Sequence, residues 1–121
     1  MIKFTESDKK SRTIMLPQML EYHSAFLKAA FEASGYKFDI MHSDEPPSKY
    51  ESLRYISSDY CYPTVLIVGQ VLEAIRKNGG DCRGLAFMEP QAGGACRAGN
   101  IYNLLIETLE KLGYDAPGNI A

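Results

Sequence analysis

From residue 12 onward, short apolar runs alternate with longer stretches in which apolar residues return every three or four positions. "RTIMLP" (12–17) is a brief apolar run ended by Pro17 and predicts a buried strand. "MLEYHSAFLKAAFEAS" (19–34) has Met19, His23, Phe26, Ala30 and Ala33 at helical spacing, with Gly35 placed to cap a helix. In "YKFDIMHS" (36–43), Tyr36, Phe38 and Ile40 alternate on one side, which predicts a second strand. "DEPPSKYES" (44–52) reads as a loop because of its Pro46-Pro47 pair. "LRYIS" (53–57) suggests a short third strand, and "SSDYCYP" (57–63) a turn whose Pro63 suits the first turn of a helix. In "TVLIVGQVLEAIRKNGG" (64–80), Val65, Val68, Gly69, Leu72 and Ile75 form one apolar stripe, and Asn78-Gly79-Gly80 ends it. A strand is predicted around Leu85 to Met88. "NIYNLLIETLEKLGY" (100–114) then predicts a helix with Ile101, Leu104, Leu105, Thr108 and Leu112 inward. Its Glu107 and Lys111 are spaced to pair, and Gly113 closes it.

Strands alternating with helices imply an α/β fold, a three-layer Rossmann-like or flavodoxin-like sandwich with a mostly parallel sheet. The tail "DAPGNIA" turns apolar where the next strand of the alternation falls, as if the chain stopped short of it. The polar stretch 1–11 is expected to be a flexible arm and 12–121 a single α/β domain, or a fragment of a larger protein. The 121 residues are 45% hydrophobic and 23% charged, enough for one ordinary core. A net charge of -2 argues against a general electrostatic role on nucleic acid. No apolar run is long enough to span a membrane, and the N-terminus lacks a secretory pattern, so a cytoplasmic location is expected.

In such sheets, ligands sit beyond the carboxyl ends of the strands, at loops leading into helices. Three loops qualify: Pro17-Gln18, 58–62 and 89–99. Cys61 and Cys96 lie in two of them, so both thiols are expected at one edge of the sheet. Helix starts favour thiolates, which suits metal ligation as well as nucleophilic attack. Cys82 begins a strand and belongs to the opposite edge, in a structural role. There is no CxxC, HExxH or nucleophile elbow. Gly93 and Gly94 with Arg97 could hold an anion, but GxxxxGK[ST] and GxGxxG are both absent, so no ATP site is written in this chain. His23, on the first helix, reads as a core or boundary residue; His42 ends a strand, with no paired carboxylate in view.

Two stretches carry a resemblance. They are Cys61-Tyr62-Pro63, leading into a helix with Gly69-Gln70, and Ala92-Gly93-Gly94-Ala95-Cys96-Arg97 followed by Asn100. Together with "TIMLPQMLEYH" (13–23), they resemble the C-terminal region of the large CoA-enzyme activase-like proteins related to 2-hydroxyacyl-CoA dehydratases and their ATP-dependent activators. The resemblance covers most of 12–114, with Ala92 and Ala95 where that family often has Thr and Gly. It implies a role in electron transfer beside a [4Fe–4S] or related iron–sulfur cluster. Cys61 and Cys96 would be ligands, Gly93 and Gly94 would admit the cluster, and Arg97 with Asn100 would complete the cofactor-binding residues. A cubane normally takes three or four protein ligands. The resemblance therefore implies that the cluster is shared with missing domains of a larger protein, with a dehydratase or activator subunit, or with a homodimer mate. It also implies that the chain is not catalytic alone. Two other readings stay open: a cofactor-free assembly domain, and a domain binding CoA or phosphate.

Overall fold

The computed structural model describes residues 4–18, 21–41, 51–89, 94–114 and 119–120. Apolar runs, Ile14 to Pro17 after Thr13 and Leu85 to Met88, make the two central strands, Thr13–Pro17 (β1) and Leu85–Met88 (β3). Lys37–Met41 (β2) alternates over its first four residues, with Phe38 buried and Ile40 half-buried on one face and Lys37 and Asp39 exposed on the other, and ends on buried Met41. Asn119–Ile120 (β4) pairs with Phe87 and Met88, so the sheet gains a fourth strand where the sequence suggests the chain stops short of one. All pairs are parallel, and the strand order is β2-β1-β3-β4.

Parallel neighbours need helical crossovers, and these are right-handed almost without exception. Stepping from β1 outward to β2 puts Glu21–Ala33 (α1) on one face. Stepping back to β3 and on to β4 puts Tyr62–Lys77 (α2) and Ile101–Lys111 (α3) on the other. The apolar clusters follow this division. Ile14, Leu16, Phe38 and Ala86 pack toward α1, with Phe31 stacked on Phe38 at 4.8 Å. Met41, Leu85 and Phe87 pack toward α2 and α3, whose Val68, Ile75, Ile101 and Leu105 fill the larger core. The result is the three-layer α/β sandwich of a small Rossmann-like or flavodoxin-like fold.

α2 is the central helix. Pro63 opens it, and Gly79 and Gly80 at φ 72° and 78° let the chain turn away behind Asn78. Every residue of its expected stripe is buried. α3 also matches expectation: Ile101, Leu104, Leu105 and Thr108 are buried, and Lys111 donates to Glu107 at 2.7 Å.

Two local expectations are corrected. Residues 53–57 form no strand: the N–H groups of Tyr55 and Ile56 both donate to the Ser52 carbonyl at 3.0 Å. Leu53 and Ile56, three apart, point inward together, which is turn spacing and not strand spacing. The α1 stripe exists but faces outward: His23, Phe26, Ala30 and Ala33 are exposed, and Ser24 is the helix's buried residue. His23 is therefore neither core nor boundary. Within the stretch expected as an arm, the described residues begin at Phe4. Glu6–Lys9 is a 3-10 turn closed by a Thr5–Asp8 capping box, Arg12 pairs with Asp8 at 3.2 Å, and Phe4 meets Tyr36. No described helix is long and apolar enough to cross a membrane.

Candidate functional site

The strand order reverses between β1 and β3, so the chain leaves these neighbours in opposite directions and opens a crevice beyond their carboxyl ends. The residues that follow the two strands, Gln18 and Glu89, therefore start at the rim of one crevice. The helix starts that overhang it, those of α2 and α3, lie on the same face of the sheet.

Gln70 braces this rim. It is buried in α2 at 4% exposure, and its Oε1 accepts the backbone N–H of Gln18 at 3.0 Å. Gln18 and Gln70, with Pro63, Leu66 and Ile67, line a depression of about 270 Å3 at the start of α2. A larger groove of about 380 Å3 runs between α2 and β1–β2 past Asp39, Glu73 and Lys77, and neither candidate cysteine lines it.

Cys61 is the N-cap residue of the 16-residue α2, half-buried and in extended backbone geometry. Its thiol does not cap the helix; it lies 2.9 Å from the hydroxyl of Thr64, which is 1% exposed. A thiolate there can only accept, so the Thr64 hydroxyl is its ready donor, and the helix N-terminus favours the negative charge.

Cys96 is exposed. It does not cap an α-helix, as the sequence suggests. A 3-10 turn, Arg97–Asn100, comes between it and α3, and its carbonyl accepts the Gly99 N–H at 3.1 Å. The helix-dipole argument therefore applies to Cys61 alone. Gly94 sits at φ 113°, which side chains rarely adopt, but a Cβ there would meet nothing within 4 Å. Its backbone calls for glycine, and its surroundings are open. Asn100 is exposed and accepts from the Asn103 side chain at 2.9 Å. Arg97 opens the 3-10 turn. Gly93 and His42 lie outside the described residues.

Topology thus brings Cys61 and Cys96 to the carboxyl edge, on loops that feed α2 and α3. Cys82 is buried at 4% exposure ahead of β3, at the other edge and inside the larger core. All three cysteines are free thiols. Among the described residues, no group of three or more His, Cys, Asp or Glu side chains could hold a metal ion.

Sequence reasoning misses Glu89. It follows β3 directly, is 4% exposed, and its Oε2 is buried without a hydrogen-bond partner among the described residues. Burial alone pushes its carboxyl up to about 7. The available signal was a lone acidic residue closing the apolar run "LAFM", at the very edge where ligands bind. Compared with family models, curated proteins and solved structures, the chain matches none of them.

Proposed function

We propose that this chain is an iron–sulfur-cluster-binding or electron-transfer module of the 2-hydroxyacyl-CoA dehydratase and activase type, working in the cytoplasm and incomplete alone. The observation that carries this reading is the placement of two free thiols, Cys61 and Cys96, at the ligand-binding edge of one parallel sheet. Both lie on loops entering helices of the same face. The donor set fits a shared cluster and not a self-contained one. It offers two thiols and no metal-holding group of three among the described residues, so the remaining ligands belong to another segment or chain.

When bound, a [4Fe–4S] or related cluster supplies one-electron transfer at a potential set by its surroundings. This chain's part is to present the ligands. The Thr64 hydroxyl, 2.9 Å from its sulfur, and the start of α2 would support Cys61 as a thiolate ligand. Gly94 turns the chain into the Cys96 loop and leaves open space there, and Arg97 and Asn100 begin and end the following turn. ATP hydrolysis falls to another domain or protein, because the chain has no phosphate-binding loop signature.

Anaerobic reconstitution with iron and sulfide, in the presence of the dehydratase or activator partner, tests the reading. Visible sulfide-to-iron absorption is expected for the wild type and lost in Cys61→Ser and Cys96→Ser. A colourless wild type would remove the cluster. A second reading, a cofactor-free assembly domain, is supported by a separate observation: large apolar side chains stand exposed on α1, with Tyr22 at 79% and Phe26 at 77%.

A further inference from the structure

α1 is built inside out. Ser24 is its buried residue and Lys28 and Phe31 are half-buried, so this side rests on the sheet. At 3.6 residues per turn, Tyr22, Phe26, Ala29 and Ala33 fall within about 60° of one another on the opposite side. All four are exposed, as are the flanking Ala25 and Ala30. The steps of four, three and four residues are those of a helix–helix seam, and isolated solvent-facing residues have no need of them.

We infer that this seam is the contact face of a homodimer in which α1 packs antiparallel against α1 of a second copy. The argument for a second copy is self-complementarity, which a two-fold interface requires. The bulky residues Tyr22 and Phe26 lie in the first half of the seam and the small ones, Ala29 and Ala33, in the second. An axis level with Leu27 and Lys28 sets Tyr22 over the partner's Ala33 and Phe26 over the partner's Ala29. Each large side chain then meets a small one, in both directions at once. Ala25 and Ala30 let the backbones approach closely. Glu21 and Glu32 are exposed on one flank of the seam, where their side chains reach solvent, and half-buried Lys28 lies between that flank and the sheet.

A 13-residue helix is about 20 Å long, so this contact falls short of the roughly 800 Å2 per partner of a standard interface. The dimer is therefore a weak one that dissociates on dilution. It does not depend on the cluster, since α1 lies on the face away from Cys61 and Cys96.

Sedimentation equilibrium over a micromolar concentration range tests the inference, with circular dichroism as the check on folding. The wild type is expected to show a monomer–dimer equilibrium. Ala29→Glu sets a charge against the partner's Phe26 and should give a folded monomer. Phe26→Ala should weaken the dimer by about tenfold or more, and adding Ala29→Phe to it should restore the dimer by exchanging large for small across the seam. These positions are exposed in the monomer, so the variants retain the fold. A monomeric wild type, a dimer that survives Ala29→Glu, or a failed rescue would each overturn the proposal.

Discussion

The side chain of Gln70, buried in α2, accepts the backbone N–H of Gln18 at 3.0 Å, across 52 residues of sequence. The bond fastens the end of β1 to the helix that Cys61 caps. Removing the acceptor strands a partly buried donor, and the cost of that is about 1–3 kcal/mol. Gln70→Leu keeps much of the volume and should lose stability by that amount in urea unfolding. An unchanged midpoint would mean that water replaces Gln70 without penalty.

The three thiols differ enough in exposure to be told apart by labelling. Cys96 is exposed, Cys61 is half-buried beside Thr64, and Cys82 is 4% exposed. Alkylation followed by mass spectrometry should modify Cys96 first and Cys61 second, with Cys82 protected until the core opens. Thr64→Val removes the hydroxyl donor to the Cys61 thiolate while keeping the shape. It should slow alkylation of Cys61 several-fold at neutral pH and leave Cys96 unchanged. Early labelling of Cys82 would contradict the placement of that residue in the core.

Gly94 offers a test of backbone geometry free of packing. Its φ of 113° is strained for any other residue, yet a Cβ would touch nothing within 4 Å. Gly94→Ala should therefore cost about 1–3 kcal/mol through conformation alone. A neutral change in thermal unfolding would show that this loop has another conformation open to it.

The sandwich was legible because its signals are local and mutually consistent. The α2 stripe from Val65 to Ile75, its Gly79-Gly80 stop and the run Leu85–Met88 each follow from period and turn chemistry, and they sit where expected. α1 was misjudged because periodicity identifies a stripe without saying what covers it: Phe26 and Ala33 keep helical spacing while facing away from the sheet. The segment 53–57 was misjudged because its three apolar or aromatic residues, Leu53, Tyr55 and Ile56, are too few to set a period, and the Ser52 carbonyl gathers the N–H groups of Tyr55 and Ile56 into a turn. At the candidate site, the positions of Cys61 and Cys96 followed from topology. The Thr64 and Gln70 contacts did not, because they depend on how α2 is rotated over the sheet.

Glu89 gives the fold a pH dependence with a definite sign. Its carboxyl titrates near 4.5 when solvated and at about 7 when folded, because burial disfavours the charge. Between those values the folded chain holds a proton that the unfolded chain releases, so stability falls as pH rises through this window. Below it the two states are equally protonated and the penalty vanishes. Above it the penalty is complete, up to about 3 kcal/mol for a shift of this size. Glu89→Gln imitates the protonated acid and cannot ionise. It should match the wild type at pH below the solvated value and be more stable by about 1–3 kcal/mol above neutrality, where the wild type carries a buried charge with no partner among the described residues. Urea unfolding at a series of pH values reads this directly. Parallel wild-type and Gln curves would show that Glu89 is ionised in the fold and that a charged partner reaches it.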